Sequence, residues 1–592
     1  MSMLSTAISG LMAQQEALKT TGHNISNVST PGYSRQEVVV ETNSPLFRGF
    51  GYIGQGVDVS TVRRVHDEFL TSQLRVDTSG YFDLQAFRGN IEQVDRVLAD
   101  DRTGLQPQMD RYFAALQGAA DNPGYIPSRD VVLGEAKGMQ DRFASIAGYL
   151  SDQNETLNDQ LTTMAVEVNA LATGIAQLNE RIMGGRGATA TEPPNDLLDK
   201  RDELVRQLSE LVEIDVIEVG GSMDITIGKG RSLVLDFAAN KVVATGSLED
   251  PHRFGIRFVS KFENLDISAD LKGGQIGGTL AFRAQGLDLA MNSLGRIAAT
   301  FVQQTNTKHH LGTDMNGSFG KDFFQDLNDP SLTGDRVFAF SSNALPNDRI
   351  FNVYFDDTSQ LTASEYTLTL PGPSKDRFEV TRKDDGAVVQ GGALTGEYPQ
   401  EIAFDGLRVV LEAGTFSQGD RFTVAPLRQA AEDVVLMLQQ PADIALAYPI
   451  KAETSLSNTG SGLIDQGQML TRAGQAFAVD GELSPAMLVR FESANRYSIY
   501  DNTDPGNPVP LSPPLQNIEF IPGVGNALLT EDPGETIVSS WRALLPDAAA
   551  VGVGGVGTGT SYNGINPERF YFSQTDALTG QTTELAKVST TK

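Results

Sequence analysis

The sequence of 592 residues contains no cysteine, which excludes disulfide bonds and thiolate chemistry. It also contains no run of about eighteen apolar residues, the length that a helix needs to span a bilayer. The first basic residue is Lys19, so the N-terminus lacks the charged region with which a secretory signal begins. By themselves these absences predict a cytoplasmic protein without a membrane-spanning helix.

Basic residues are scarce as well. The sequence holds 46 Lys and Arg against 75 Asp and Glu, which gives a formal net charge of −29. Nucleic acids and anionic membranes are bound by clustered Lys and Arg, so the acidic balance argues against both as partners. A well-solvated surface is the simplest interpretation of this charge.

Sequence motifs that are typical of catalytic sites are also missing. The sequence contains no Walker loop, no Gly-x-Ser-x-Gly elbow and no His-Glu-x-x-His pair. The adjacent His309 and His310 cannot place both rings on one helix face, so we assign them a structural or incidental role. The stretch Asp314-Met-Asn316-Gly317 resembles half of a calcium loop without its closing glutamate, and we predict a plain turn. We predict no catalytic residue, no metal and no cofactor, although paired carboxylates for glycoside hydrolysis would leave no sequence pattern.

The first forty residues begin with an amphipathic segment, Met3 to Ile25. Its main apolar residues are seven positions apart, which aligns them along one narrow seam of a helix. These seam residues are Leu4, Leu11, Leu18 and Ile25. A narrow seam suits a partner helix better than a broad globular core. An ordinary amphipathic helix followed by a turn is the alternative interpretation of this stretch.

Turn-forming residues follow the seam. We expect the helix to end near Asn27, because Asn competes for backbone hydrogen bonds and Thr30 precedes a proline. Pro31-Gly32 fits the centre of a type II turn, where glycine supplies the positive φ. A strand is predicted at Glu37–Val40.

The longest regular pattern predicts a helix over residues 128–183, with Ser128 as its N-cap. Two series of apolar residues repeat every seven positions along it. They are Phe143, Leu150, Leu157, Met164, Leu171 and Leu178, and beside them Leu161, Val168, Ile175 and Ile182. Such a helix would be roughly 75 Å long, so we predict a coiled-coil-like partner and an elongated molecule.

The remaining pattern alternates helical and strand-like stretches. Further helices are predicted at 66–99, 105–120, 278–309 and 428–447, and one starts at Asn195, where the many charges indicate a solvated face with local ion pairs. Strands are predicted at 216–243 around the Gly228-Lys229-Gly230 turn, at 337–425 and within 470–545. Glycines at 551–564 indicate a flexible linker.

The predicted fold class is multidomain α+β, with a terminal amphipathic helix, a long coiled-coil-like helical bundle and β-rich inserted domains. The predicted units are 1–40, 41–325, 330–430, 431–548 and a linker with a truncated-looking tail at 549–592.

Two motifs carry a family resemblance. Asn24-x-x-Asn27-x-x-Thr30-Pro31-Gly32-Tyr33 after an amphipathic helix resembles the signature of bacterial flagellar rod, hook and hook-associated proteins. The block Asn195-Asp-Leu-Leu-Asp-Lys-Arg-Asp after a long helix, followed by Gly278-Thr-Leu-Ala-Phe-Arg and Gly320-Lys-Asp-Phe-Phe324, is similar to the hook-associated protein 1 family of the hook–filament junction. This second likeness covers residues 1 to about 325.

The resemblance implies a structural, non-enzymatic protein of the bacterial flagellum, exported to the cell exterior without a cleaved signal. It implies self-assembly into a homo-oligomeric ring, with the hook protein, a filament-side hook-associated protein and an export chaperone as partners. Its implied assembly interface is Leu4, Leu11, Leu18, Ile25, Asn24, Asn27, Thr30, Pro31, Gly32 and Tyr33. The family implies a second terminal helix that pairs with the first. Here only Leu578 and Leu585 are heptad-spaced near Lys592, so we expect the seam to be largely exposed in the isolated chain.

Two alternatives stay open at this point. A rod or hook protein shares the first motif, but the Asn195 block argues against it. A secreted adhesin or glycan-active enzyme would use the long helix as a stalk and the β-rich region 337–425 as its working part.

Overall fold

The computed structural model describes residues 3–47, 49, 51–100, 104–185, 194–370, 377–447, 450–454, 487–493 and 496–501. Beyond these it describes 504, 506–510, 516–519, 521, 526–527, 540–541, 561–563, 569–575 and 582–590. Helices and several antiparallel sheets make up this part of the chain, as expected for a multidomain α+β protein. No helix among these residues combines the length and the apolar character needed to cross a membrane.

The long helices lie close to where the sequence pattern predicted them, except that one begins at Ile126 rather than 128 and none forms at 428–447; the short helix α8 was not predicted. They are α1 (Met3–Ser26), α2 (Glu68–Leu98), α3 (Leu105–Asp121), α4 (Ile126–Gly185), α5 (Asn195–Leu211), α6 (Gly274–Phe282), α7 (Asp288–His310) and the short α8 (Pro330–Thr333). The predicted helix at 278–309 is α6 and α7 joined by one π-helical turn, Arg283–Leu287. The first half of α2 leaves Phe69 and Leu70 exposed, whereas its second half packs Phe87 and Ile91 on the core.

Ser128 is not the N-cap of the long helix, and that prediction was wrong. Helix α4 begins two residues earlier, and the Ser128 Oγ donates a hydrogen bond back to the Tyr125 carbonyl at 2.7 Å. Pro127 is compatible with the first helical turn because its missing N–H would have no intrahelical partner there. The proline therefore does not stop the helix from starting at Ile126.

The heptad residues of α4 are buried, and they divide among three clusters, of which the smallest joins Leu178 and Ile182 to Leu198 of α5. Phe143, Leu150 and Leu157 belong to a core shared with α3, α7 and the β-rich region that follows. From Leu161 to Ala176 the helix packs instead on α5 and on small sheets. The partner of this 60-residue helix is thus a succession of short elements rather than a second long helix.

Eleven strands lie within residues 36–266 of the described chain. They are β1 (Gln36–Thr42), β2 (Leu46–Phe47), β3 (Tyr52–Ile53), β4 (Val57–Arg64), β5 (Asp215–Val219), β6 (Ser222–Ile227), β7 (Arg231–Leu235), β8 (Ala238–Ala239), β9 (Lys241–Gly246), β10 (Phe254–Val259) and β11 (Asn264–Asp266). β1 and β4 form an antiparallel pair with a bulge at Val39/Val40. β5-β6-β7-β8 and β11-β10-β9 form two sheets over α4, which confirms the strands and the turn predicted at 216–243.

Residues 337–424 form two antiparallel sheets, as predicted. Their strands are β12 (Val337–Ala339), β13 (Ile350–Phe355), β14 (Tyr366–Thr369), β15 (Arg377–Arg382), β16 (Val388–Ala393), β17 (Gln400–Phe404), β18 (Leu407–Ala413) and β19 (Arg421–Val424). The sheet orders are β12-β19-β14-β15-β16 and β13-β18-β17. Their facing side chains, among them Val353, Leu368 and Val409, continue the core that contains the first half of α4.

The predicted helix at 428–447 does not form. Its apolar residues Leu427, Ala431, Val434 and Leu438 have helical spacing and are buried, but the backbone runs through turns and one short 3₁₀ segment at Pro441–Asp443. The backbone groups bond to another segment instead, since Gln325 N donates to Val435 O and Met437 N donates to Phe323 O. Tertiary hydrogen bonds therefore overrode the helical pattern.

Five side chains form what we call the charge cluster: Glu365, Asp250 and Arg253, which are buried, and Arg428 and Asp288, which are partly exposed. Arg428 donates to Glu365 at 2.6 Å and also to Asp250, while Arg253 pairs with Asp250 and Asp288. Burial alone would raise the pKa of Glu365, but the positive charges of Arg428 and Arg253 lower it to about 2. The cluster connects the helical part of the chain to the β sheets of 337–424.

Later strands lie in short described segments. They are β20 (Ile450–Thr454), β21 (Met487–Ser493), β22 (Arg496–Asp501), β23 (Val509–Pro510), β24 (Ile518–Glu519), β25 (Asn526–Ala527), β26 (Ser540–Trp541), β27 (Ser561–Asn563), β28 (Arg569–Thr575) and β29 (Thr582–Thr590). The strand predicted at Tyr497–Tyr500 is confirmed. Most of the predicted β-rich stretch 470–545 and of the predicted linker 551–564 lies outside the described residues.

His309 connects three segments at the end of α7. Its Nε2 accepts a hydrogen bond from Ala445 N at 2.8 Å, so the ring proton lies on Nδ1, which donates to Lys321 O at 2.6 Å. Burial lowers the pKa of His309, because it disfavours the imidazolium form. The structural role assigned to this histidine agrees with these contacts.

We expect His309 to make stability pH-dependent. The pKa of His309 in the folded chain lies below its value of about 6.5 in the unfolded chain. The contribution of the buried ring to the free energy of unfolding is therefore complete above about pH 6.5 and is lost as the pH falls towards the folded pKa. Urea unfolding at pH 7.5 and pH 5.5 should therefore show a larger loss of stability in the native chain than in His309→Asn. Equal losses in both chains would contradict this prediction.

Candidate functional site

Helix α1 turns its small and polar face towards the rest of the chain. Ala13 is 4% exposed, and the Ser9 Oγ accepts a hydrogen bond from Val57 N of β4 at 3.3 Å. Gly56, with φ +86°, lies so close that a Cβ there would be 2.2 Å from the Ser9 Oγ. The helix can approach the β1–β4 pair this closely because small residues face it.

The seam of α1 is exposed, as predicted. Leu4, Leu11, Leu18 and Ile25 are 68%, 71%, 73% and 69% exposed, and Ile8 and Met12 beside them are also exposed. The usual arrangement of an amphipathic helix, with its apolar stripe facing the core, is reversed here. A contiguous apolar surface of this kind marks an interaction site rather than a solvated face.

The side chain of Asn24 connects the end of α1 to the start of β1. Its Oδ1 accepts hydrogen bonds from the Tyr33 hydroxyl at 2.7 Å and from Gln36 N at 2.9 Å. Its Nδ2 donates to Gln36 O at 2.8 Å. One asparagine thus fixes the path of the chain across the whole turn.

The turn itself has the predicted form. Thr30 N donates to Asn27 O at 2.9 Å, and Tyr33 N donates to Thr30 O at 3.2 Å. Gly32 has φ +76°, as the third position of a type II turn requires. Asn27 reaches back to the His23 carbonyl at 3.0 Å, which satisfies one of the carbonyls at the end of the helix.

The acidic face of α5 contacts this turn and the β1–β4 pair. Asp196 accepts from the Gln36 Nε2 at 3.0 Å, and Asp199 accepts from Ser34 N at 3.1 Å. Arg64, at the end of β4, donates to Asp199 at 2.9 Å and to Asp202 at 2.8 Å. The two sequence motifs that carried the family resemblance are therefore in direct contact.

The local ion pairs predicted for α5 form, since Arg206 pairs with Glu203 and Glu210, but the predicted solvated face was wrong at Asp199 and Arg201, which are buried. Arg201, on the other side of α5, donates to the Asn179 Oδ1 at 3.2 Å and to Gly221 O at 2.9 Å, which joins α5 to α4 and to the turn before β6. One sequence signal was available, since Asp196, Asp199 and Asp202 are three residues apart and share one helix face. The sequence offered no signal that Arg64 would be their partner.

The electrostatics of the contact follow from this geometry. Burial lowers the pKa of Arg64, but its hydrogen bonds to Asp199 and Asp202 outweigh burial and raise it. Burial raises the pKa of Tyr33, and the negative charges of Asp196 and Asp199 add to that shift. Both side chains stay protonated at neutral pH, so Arg64 keeps its charge towards α5 and Tyr33 keeps its hydrogen bond to Asn24.

Elsewhere, the Asp314 carboxylate accepts from Asn316 N and Ser318 N at 2.8 Å each, which confirms the plain turn predicted there. Across the described residues, no group of three or more His, Asp or Glu side chains is arranged to hold a metal ion.

Gly32→Ala is expected to weaken this contact. Alanine at a positive φ costs about 1–2 kcal/mol, and its Cβ would be 2.7 Å from the Cβ of Glu203 on α5. We expect the Ser34 amide to exchange hydrogen about tenfold faster or more. Gly22→Ala is the matched control, because a Cβ at that exposed position of α1 meets nothing within 4 Å. Similar Ser34 exchange in both variants would contradict the prediction.

Comparisons with known proteins agree on one family. The model described as the flagellar hook-associated protein FlgK helical domain matches residues 91–324. The flagella basal body rod protein model matches residues 4–33, and a flagellar hook-associated protein 1 D2-like domain matches 341–426. Flagellar hook-associated protein 1 of Escherichia coli is 32% identical over 468 residues, which cover 78% of this chain and 83% of the relative. The chain belongs to the flagellar hook-associated protein 1 family.

Other members and a solved structure agree. The hook-associated protein 1 of Salmonella typhimurium is 32% identical over 479 residues, covering 80% of this chain and 82% of the relative. The structure of the flagellar hook junction protein FlgK from Burkholderia pseudomallei shares the fold, with a TM-score of 0.66, 23% identity and 88% of each chain covered.

The hook-associated protein 1 family is that of the hook–filament junction, and membership makes this chain a structural component of the bacterial flagellum. The relatives are structural proteins, and the comparisons give no support to the alternative of an adhesin or a glycan-active enzyme.

Proposed function

We propose that this chain joins hook to filament by self-assembly, and that the seam of α1 is the surface through which it assembles. The observation that carries the proposal is the reversed orientation of α1, which exposes Leu4, Leu11, Leu18 and Ile25 at about seven-tenths each. Burying such a side chain against a neighbouring helix stabilises the contact by about 1.5–3 kcal/mol. Four of them along one stripe fit a helix–helix interface between subunits.

The turn residues position the seam in this proposal rather than contact other subunits. Asn24, Asn27, Thr30 and Tyr33 make their hydrogen bonds within the chain, and Pro31-Gly32 shapes the turn against α5. They hold α1 at a fixed angle to α5 and so present the seam to neighbouring subunits. The contacts between subunits come from the seam.

The partners follow from the family. Copies of this chain form a ring, the hook protein lies on one side and a filament-side hook-associated protein on the other. The chain reaches the cell exterior without a cleaved signal, and an export chaperone covers its apolar surface beforehand. Exposed apolar side chains on a monomer favour aggregation, which gives such a chaperone a physical reason.

Leu11→Asp with Leu18→Asp tests the proposal. Two carboxylates in the seam would have to be buried without partners, so we expect attachment of filament to hook to be lost. The measurement is swimming motility together with electron microscopy of filaments on cells that carry the variant chain. Hydrogen exchange in α4 should stay at its native level, which shows that the cores remain folded.

The matched control is Gln14→Asp with Thr21→Asp. These positions are also seven residues apart and exposed on α1, but they lie beside the seam. We expect this variant to support filament attachment. A functional Leu11→Asp, Leu18→Asp chain would refute the proposal.

A further inference from the structure

A polar groove of about 560 Å³ lies where α2, α4 and α6 meet. Gly89 and Asn90 belong to its α2 wall, Gln160 and Met164 belong to its α4 wall, and α6 contributes Thr279. No aromatic and no basic side chain is among the described residues that line it. The groove therefore lacks the cations that bind anionic ligands and the predominantly apolar lining of most small-molecule sites.

Side-chain amides dominate the lining, and none of them makes a hydrogen bond within the described part of the chain. They are Gln85, Asn90, Gln93, Gln160 and Gln275. Asn90 is only 6% exposed, and a polar side chain buried to that degree almost always has a partner. Unlike the sealed and unpartnered Nε2 of Gln153, the Asn90 amide keeps accessible surface in the groove that it lines. An unpaired but accessible amide of this kind is suited to a ligand.

Two carboxylates lie on the α4 wall. Asp159 and Glu167 are exposed, and neither has an ion-pair partner among the residues that the structure describes. They are eight positions apart, or about 12 Å along the helix axis. In an extended polypeptide, side chains four residues apart point to the same side and are separated by about 13 Å. Two basic side chains with that spacing match the two carboxylates.

The amides restrict the ligand further. Each amide both donates and accepts hydrogen bonds, so a matching ligand offers donors and acceptors along its whole length, as a polypeptide backbone does. The α4 wall runs from Thr156 to Glu167, about 16 Å, which accommodates about five extended residues. Backbone pairing combined with side-chain specificity is a common mode of peptide recognition.

We propose that this groove binds an extended segment of another protein, with two basic side chains four residues apart. The amides, Asn90 among them, pair with the backbone of the segment, and Asp159 and Glu167 pair with its basic side chains. Another protein is a better source than a second copy, because this chain has 46 basic residues against 75 acidic ones. The inference is independent of the proposed role of α1, because the groove and the seam share no residue.

Isothermal titration of the full chain with the peptide acetyl-Lys-Ser-Ala-Ser-Lys-amide tests the proposal. We expect one saturable site per chain. The isomer acetyl-Lys-Ser-Lys-Ser-Ala-amide has the same charge but the wrong lysine spacing, and it should bind about threefold or more weakly. The first peptide with its three central backbone nitrogens methylated lacks those donors and should bind about tenfold or more weakly.

The two glycines of α2 provide a blocking variant and its matched control. A Cβ at Gly89 or at Gly80 meets nothing within 4 Å, but only Gly89 lines the groove. Gly89→Leu should fill the groove and abolish peptide binding, whereas Gly80→Leu should leave the affinity unchanged. Both variants should be at least as thermally stable as the native chain, because leucine favours a helix more than glycine does.

Single groups of the groove are tested in the same way. Asn90→Leu should weaken binding about fivefold or more without lowering thermal stability, since the amide makes no hydrogen bond within the described chain. Glu167→Gln should weaken binding about threefold, and Glu180→Gln, at an exposed position further along α4, should have no effect.

Peptide binding that is absent, or that Gly89→Leu leaves unaltered, overturns the proposal. Equal affinity for spermidine would show that the groove selects charge alone, and equal affinity for maltotriose would show that it selects hydroxyl groups; either result also overturns it. Self-association in sedimentation that Gly89→Leu abolishes would identify a second copy as the occupant and would overturn it as well.

Discussion

Replacing Arg428 with methionine is expected to destabilise the β sheets of residues 337–424 by about 3–5 kcal/mol. Arg428 is the central cation of the charge cluster, with hydrogen bonds to Glu365 and Asp250 and a side chain 10% exposed. Methionine keeps most of the side-chain volume. Among the described residues it leaves Glu365 with one ion-pair partner, Lys383 at 3.7 Å, and Asp250 with Arg253 at 3.7 Å and the backbone N–H of His252 at 2.9 Å. Hydrogen exchange of amides in β14 and β18 measures the loss in the full chain.

An exposed ion pair provides the control for that experiment. Arg88 and Glu92 pair one turn apart on α2, with side chains 80% and 55% exposed, so Arg88→Met should change stability by no more than about 0.5 kcal/mol. An Arg428→Met loss no larger than this would show that the cluster does not stabilise the fold.

The cluster also makes stability depend on pH. Because the pKa of Glu365 is lowered to about 2 in the folded chain, its contribution to the free energy of unfolding is complete above about pH 4.3 and is lost as the pH falls to about 2.

Replacing Arg64 with methionine is expected to release the turn and the β1–β4 pair from α5. Arg64 is the cation that pairs with both Asp199 and Asp202, and all three side chains are at least four-fifths buried. Its loss leaves two carboxylates unpaired, at a cost of about 3 kcal/mol or more. The Ser34 amide, which donates to Asp199, should then exchange about a hundredfold faster.

The neighbouring Arg63 makes a close control. It lies on the same strand but points outward, with a side chain 65% exposed and paired with Glu37. We expect Arg63→Met to leave Ser34 exchange within about threefold of the native rate. If the two variants gave the same Ser34 exchange, the contact with α5 would not depend on Arg64.

The sequence pattern predicted elements whose signal is local and periodic. Helix α4 is an example, since two heptad series over some forty residues left no competing interpretation. The type II turn is another, because Pro31 and Gly32 restrict the backbone by themselves. The narrow width of the α1 seam likewise indicated a partner helix rather than a globular core, and the seam is exposed in this chain.

Features set by distant partners were not predictable. Residues 428–447 have helical spacing, yet Gln325 and Phe323 bond to their backbone instead. The acidic face of α5 looked solvated because its partner, Arg64, is more than 130 positions away. The role of His309 depends on Lys321 and Ala445, which no spacing rule connects.

The way α1 is attached has a mechanical consequence. Its C-terminal end is fixed by Asn24 and Asn27, whereas Ala13 is the one buried apolar side chain among its described residues. Near its other end, Ser9 is hydrogen-bonded to Val57 of β4, so the helix is held at two points along its length. The 24-residue helix therefore presents its seam as one rigid edge of about 36 Å. A neighbouring subunit that meets Ile25 at one end of this edge thus finds Leu4 at a fixed position at the other end.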